Sequence, residues 1–67
     1  MMATEEKVYN LVKEQFEDMK FSKKWSNRSR LSNKCEQFIY DNWSVRNDYI
    51  WNLVDRYVKE FIPDKMD

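Results

Sequence analysis

Along this chain apolar residues return every three or four positions in three separate stretches. In the first, Val8, Leu11, Val12, Phe16 and Met19 share one side of a helical wheel. Tyr9 stands at the margin, and Lys13, Glu14, Glu17 and Asp18 fall opposite. The spacing predicts a helix from Thr4 to about Lys20. Thr4 is the expected N-cap, and Glu5 and Glu6 suit the positive end of the helix dipole. In the second stretch Leu31, Cys35, Phe38 and Ile39 form a narrower stripe on a helix over 27–42. Ser26 is its expected cap, with Ser22 and Ser29 as competitors; Tyr40 points nearly opposite the stripe and is expected to be exposed.

The third stretch has the strongest pattern. Ile50, Leu53, Val54, Tyr57, Val58 and Phe61 recur at helical spacing over 45–62, with Ser44 as the expected cap. Pro63 forces an end near Phe61 or Ile62, because proline lacks the N–H that a helix interior needs. Trp51 and Ile62 widen the apolar arc to about half the circumference. Asp55 and Lys59 stand one turn apart as a favourable pair on the polar side. Residues 22–25 read as a loop or one extra helical turn, with the rings of Phe21 and Trp25 docked on the core. No segment alternates for long enough to make a strand. The fold expected is all-α: a compact three-helix bundle in a single small domain spanning 1–67, ending in a short polar tail at 64–67.

Composition adds constraints. A chain of 67 residues has a small core, and three Trp, four Tyr and four Phe are expected to supply much of it. Leu11, Phe16, Leu31, Phe38, Ile50, Val54 and Tyr57 lie at the stripe centres and should share that core. A lone Cys35 excludes an internal disulfide and a cysteine zinc site, and it reads as a small buried hydrophobe. Together with an amino terminus that lacks the signal-peptide pattern, this favours a reducing, cytoplasmic or otherwise intracellular setting. No apolar run approaches the roughly 20 residues that cross a bilayer, so no membrane partner is expected.

Glycine and histidine are both absent. Without glycine there is no phosphate-cradling loop, dinucleotide fingerprint or nucleophile elbow. Without histidine the serines lack their usual activator. Glu14 and Asp18, one turn apart, read with Asp48, Asp55 and Glu60 as solvated faces. The chain is therefore expected to be no enzyme, with no cofactor, no metal and no small-molecule substrate. Its bias toward Asn, Lys, Phe, Tyr, Ile and Met is compatible with an AT-rich coding genome, such as that of a low-GC bacterium, its phages or plasmids.

Charge is segregated beneath a net of zero. Lys20, Lys23, Lys24, Arg28, Arg30 and Lys34 fall in one stretch without an acidic residue, while the flanks 1–19 and 35–67 each sum to −3. Such a stretch suits an anionic partner; the plain alternative is a solvated segment that offsets acidic flanks. Arg28 and Arg30 would sit in the first turn of the second helix, where the dipole favours anions. Ser26, Arg30, Asn33, Lys34 and Gln37 share one outward face, and arginine, asparagine and glutamine are residues that read base edges. Against this, Asp41 continues the face, and nucleic-acid-binding domains usually carry a basic excess.

Two candidate surfaces follow. Lys20, Lys23, Lys24, Arg28, Arg30, Asn33, Lys34 and Gln37 form an anion- or partner-binding set. Tyr40, Trp51, Val58 and Ile62 form an interface set, should two helices leave an edge of the third uncovered. The sequence thus points to a small non-enzymatic protein-binding or regulatory module, whose partner is another protein or a second copy in a homodimer. The alternative is a small DNA- or RNA-binding regulator that uses residues 20–34.

Overall fold

A computed structural model of the chain describes residues 4–21, 27–43 and 47–63, with Phe21 described in its backbone alone. Three helices make up the fold: α1 (Thr4–Phe21), α2 (Arg28–Asn42) and α3 (Asp48–Phe61). All three pack on one another. Their directions follow from who meets whom. Glu5 meets Tyr49, and Phe16 meets Phe61, so α1 and α3 run the same way. Asp18 meets Lys34, and Arg28 meets Ile62, so α2 runs against both. The fold is the three-helix bundle that the periodicity predicts.

The helix starts differ in detail. Thr4 is already helical rather than a cap. Asn27 caps α2: its backbone is extended, and its Oδ1 accepts from the Arg30 N–H at 2.8 Å. Asn47 caps α3 in the same way, accepting from the Ile50 N–H at 3.0 Å. Asparagine side chains satisfy orphan N–H groups as well as serine does. The serines expected as caps, Ser22, Ser26 and Ser44, lie outside the described residues, and Ser29 is within α2. At the far ends, Trp43 N–H returns to Ile39 O and Ile62 N–H to Val58 O, and Pro63 prevents continuation.

Among the described residues the core is aliphatic, apart from Cys35 and Met19. Val8, Leu11, Val12 and Met19 of α1 meet Leu31, Cys35 and Ile39 of α2 and Ile50, Leu53, Val54 and Val58 of α3. This corrects the expected role of the rings: Phe16, Phe38 and Tyr57 are half-buried against the core rather than within it. Three helices with β-branched and leucine side chains on their central stripes leave little room on the axis for a ring. The rings straddle the seams instead. Tyr9 contacts both Tyr57 and Phe61, with centroids 5.3 and 5.4 Å apart, and Phe16 lies 5.2 Å from Phe61. Such pairs add about 0.5–1.5 kcal/mol each beyond the area they bury. Trp25 and the Phe21 side chain, expected on the core, lie outside the described residues.

Candidate functional site

The two surfaces picked out in the sequence fare differently. On the basic one, α2 does begin at Arg28, which puts Arg28 and Arg30 in its first turn. Arg28, however, is half-buried, and its Nε donates to the Ile62 carbonyl at 2.8 Å. It therefore serves the carboxyl end of α3, where the helix dipole favours a cation. Lys34 Nζ lies 3.5 Å from Asp18 Oδ2, an exposed pair worth about 0.2–1 kcal/mol at most. Gln37 turns its amide onto Asp41, donating to both oxygens at 3.2 and 3.3 Å. Lys20 sits 5.4 Å from the Phe16 ring centre. Arg30 and Asn33 are exposed on the outer side of α2. Lys23 and Lys24 lie outside the described residues.

Two carboxylates thus share this surface with the cations. Asp18 and Asp41 would face a bound phosphate, and Gln37 is turned toward one of them. Among the described residues, a phosphate backbone would therefore meet two carboxylates beside the cations.

The interface set also divides. Val58 is 1% exposed and belongs to the core, which corrects its assignment to an uncovered edge. The α1 and α2 side chains cover more of the wide α3 arc than the wheel suggests. Ile62 is half-buried at the C-cap. It lies eleven residues from Trp51, or about 16 Å along a helix axis, too far for one compact patch. What remains is a pair. Tyr40 is 59% exposed, and its ring centre lies 5.9 Å from that of half-buried Trp51, at an interplanar angle of 43°. The two rings bridge α2 and α3 on the outside of the bundle.

Sequence reasoning missed one further feature. A groove of about 650 Å³ opens between α1 and the α2–α3 corner, with Leu11, Phe38, Trp43 and Ile50 among its lining residues and Lys7 and Glu14 at its rim. Tyr49 stands beside it and donates to Glu5 Oε2 at 2.6 Å. The groove joins residues from all three helices and their corner, a combination no single helical wheel displays.

The reactive groups have structural settings. Burial pushes the Cys35 thiol up to about 12, with Glu36 adding to the rise and Lys34 opposing it. A thiol so shifted is a poor nucleophile at neutral pH. Among the described residues no group of three or more His, Cys, Asp or Glu side chains could hold a metal ion. No described helix is long and apolar enough to cross a membrane. Comparison with family models, with curated proteins and with solved structures returns no match.

Proposed function

We propose that this chain is a small non-enzymatic protein-binding module whose docking surface is the α2–α3 face around Tyr40 and Trp51. The supporting observation is the ring pair itself, held at the surface across two helices with Tyr40 more than half exposed. Trp and Tyr dominate the residues that carry binding energy at protein interfaces, because they offer large rigid area at low entropy cost. The core does not require this tyrosine outside: among the described residues eleven buried side chains form a contiguous cluster without it.

A regulator that binds DNA or RNA through residues 20–34 has less behind it. Its outward face carries Asp18 and Asp41 among the cations, and Arg28 is turned to the end of α3. The experiment that separates the two readings combines a titration with a capture. The purified domain is titrated at low salt with random-sequence duplex DNA, single-stranded DNA and RNA. It is also used to capture partners from a nuclease-treated lysate of the source cells. Protein docking predicts no nucleic-acid binding and a partner that survives nuclease. Nucleic-acid binding at roughly 10⁻⁶ M or tighter, with capture abolished by nuclease, would reverse the assignment.

A further inference from the structure

We propose that the groove between α1 and the α2–α3 corner is a second docking site, and that it takes a short extended segment of a partner protein. The segment carries apolar side chains between a cationic residue at one end and an acidic residue at the other. The groove is separate from the Tyr40–Trp51 face: Phe38, which lines it, and Tyr40 lie about 200° apart around α2. The two surfaces are therefore independent, and failure of one leaves the other.

Size and lining fit a few apolar side chains. The groove holds about 650 Å³, within the roughly 300–1,000 Å³ range of ligand pockets. Leu11 and Ile50, both members of the core, lie in its lining. Phe38 and Trp43 stand half-buried beside them, with ring centres 6.4 Å apart and planes at 82°.

Two side-chain amides favour a polypeptide as the occupant. Asn42 and Asn47 line the groove, and each has one half of its amide committed. Asn42 Nδ2 donates to Phe38 O at 3.1 Å, and Asn47 Oδ1 accepts from the Ile50 N–H at 3.0 Å. These bonds fix which way each amide points. They leave Asn42 Oδ1 as an acceptor and Asn47 Nδ2 as a donor, both on exposed residues. A peptide unit presents the matching donor and acceptor.

The charges define the two ends. Among the described lining residues the charged ones are Lys7 and Glu14. Both are exposed, and neither forms a salt bridge within the described residues. They stand four and three positions to either side of Leu11 on one face of α1, about 10 Å apart along the axis. An extended chain advances about 3.3–3.6 Å per residue, so about three residues span that distance. A cation on the segment then meets Glu14 while its carboxylate meets Lys7. A segment with the same charge at both ends meets repulsion at one of them, and so is selected against.

The test is an NMR titration of the isotopically labelled full chain with the blocked tetrapeptide acetyl-Lys-Leu-Phe-Glu-amide. Acetyl-Lys-Leu-Phe-Lys-amide, acetyl-Glu-Leu-Phe-Glu-amide and acetyl-Lys-Gly-Ser-Glu-amide are run in parallel. The expected result is that the first peptide moves the Trp43 indole N–H, the Asn42 and Asn47 side-chain amides and the Leu11 and Ile50 backbone amides. The other three should bind more weakly. Lys7→Glu and Glu14→Lys should each weaken binding of the first peptide about two- to fivefold. The double variant Lys7→Glu/Glu14→Lys, which restores one charge of each sign, should regain it. Both positions are exposed, so the variants should keep the wild-type circular dichroism. Equal binding by any of the other three peptides, or unchanged affinity in both single variants, would overturn the proposal. Shifts centred on Tyr40 and Trp51, or the absence of any shift at the groove with millimolar peptide, would do the same. Groove shifts that follow protein concentration alone would identify a second copy as the occupant and also overturn it.

Discussion

Tyr49 and Glu5 join the amino-terminal ends of α3 and α1 by one hydrogen bond of 2.6 Å. The Tyr49 hydroxyl donates, so it favours the charged carboxylate and holds the Glu5 carboxyl below its ordinary range. The same bond raises the Tyr49 phenol, because losing its proton would set two negative charges together. Both groups are exposed, and the effect is local. Tyr49→Phe should move the Glu5 titration midpoint upward in a side-chain NMR titration, and an unchanged midpoint would remove the bond from solution. The sign for stability follows. A depressed carboxyl contributes above its unfolded-state pKa and loses that contribution as pH falls through its folded value. Cys35 acts at the other end of the scale. Its folded-state value, about 12, lies above the ordinary thiol range, so its contribution is complete below the unfolded-state value and lost as pH rises toward 12. In thiol-labelling kinetics at pH 8, Cys35 should react only through opening of the fold, and the rate should climb with urea. Rapid labelling without urea would contradict its burial.

At the level of elements, the apolar stripes were legible in the sequence because helical period is a strong signal. Val8, Leu11, Val12 and Met19 on α1, and Leu31, Cys35 and Ile39 on α2, are buried where the period puts them. Cap identity was not legible. Ser44 and Asn47 are equally competent caps, and only the backbone shows that the extended residue before α3 is Asn47. Replacing Asn47 by Ala should therefore cost about 0.5–2 kcal/mol, whereas Ser44→Ala should leave the melting temperature nearly unchanged. Val58 was misjudged because a single helical wheel shows how wide an apolar arc is but not how much of it two neighbours cover. A glutamate there would bury an unpaired charge in a domain whose core can supply only about 3–5 kcal/mol. Val58→Glu should lose its helical circular dichroism, and a folded variant would put Val58 back on the surface. Phe38 shifts in the same sense. As a half-buried seam residue it should cost less on truncation than Leu31, whose replacement by Ala should cost about 2–5 kcal/mol in urea unfolding.

At the scale of the whole molecule, the aliphatic interior leaves the rings to the seams, and that placement produces the surface chemistry. Several ring contacts among the described residues close the α1–α3 seam, where Tyr9, Phe16, Tyr57 and Phe61 pack together. The Tyr40–Trp51 pair on the α2–α3 side is the more exposed. The basic stretch conspicuous in the sequence is divided by folding: Arg28 serves the end of α3, and Lys34 meets Asp18. Linear charge order could not reveal this, because it takes Asp18 and Ile62 to positions distant in sequence. The most direct measurement of which face acts is a nuclease-treated capture from source-cell lysate run with two variants side by side. Tyr40→Ser removes an exposed ring that contacts Trp51, and Lys20→Glu/Arg30→Glu reverses two exposed cations; neither replaces a residue of the buried core, so both should remain folded. Docking through the Tyr40–Trp51 face predicts that the first variant loses the wild-type partner and the second keeps it. Retention by Tyr40→Ser with loss by Lys20→Glu/Arg30→Glu would contradict it and place the function on the basic face.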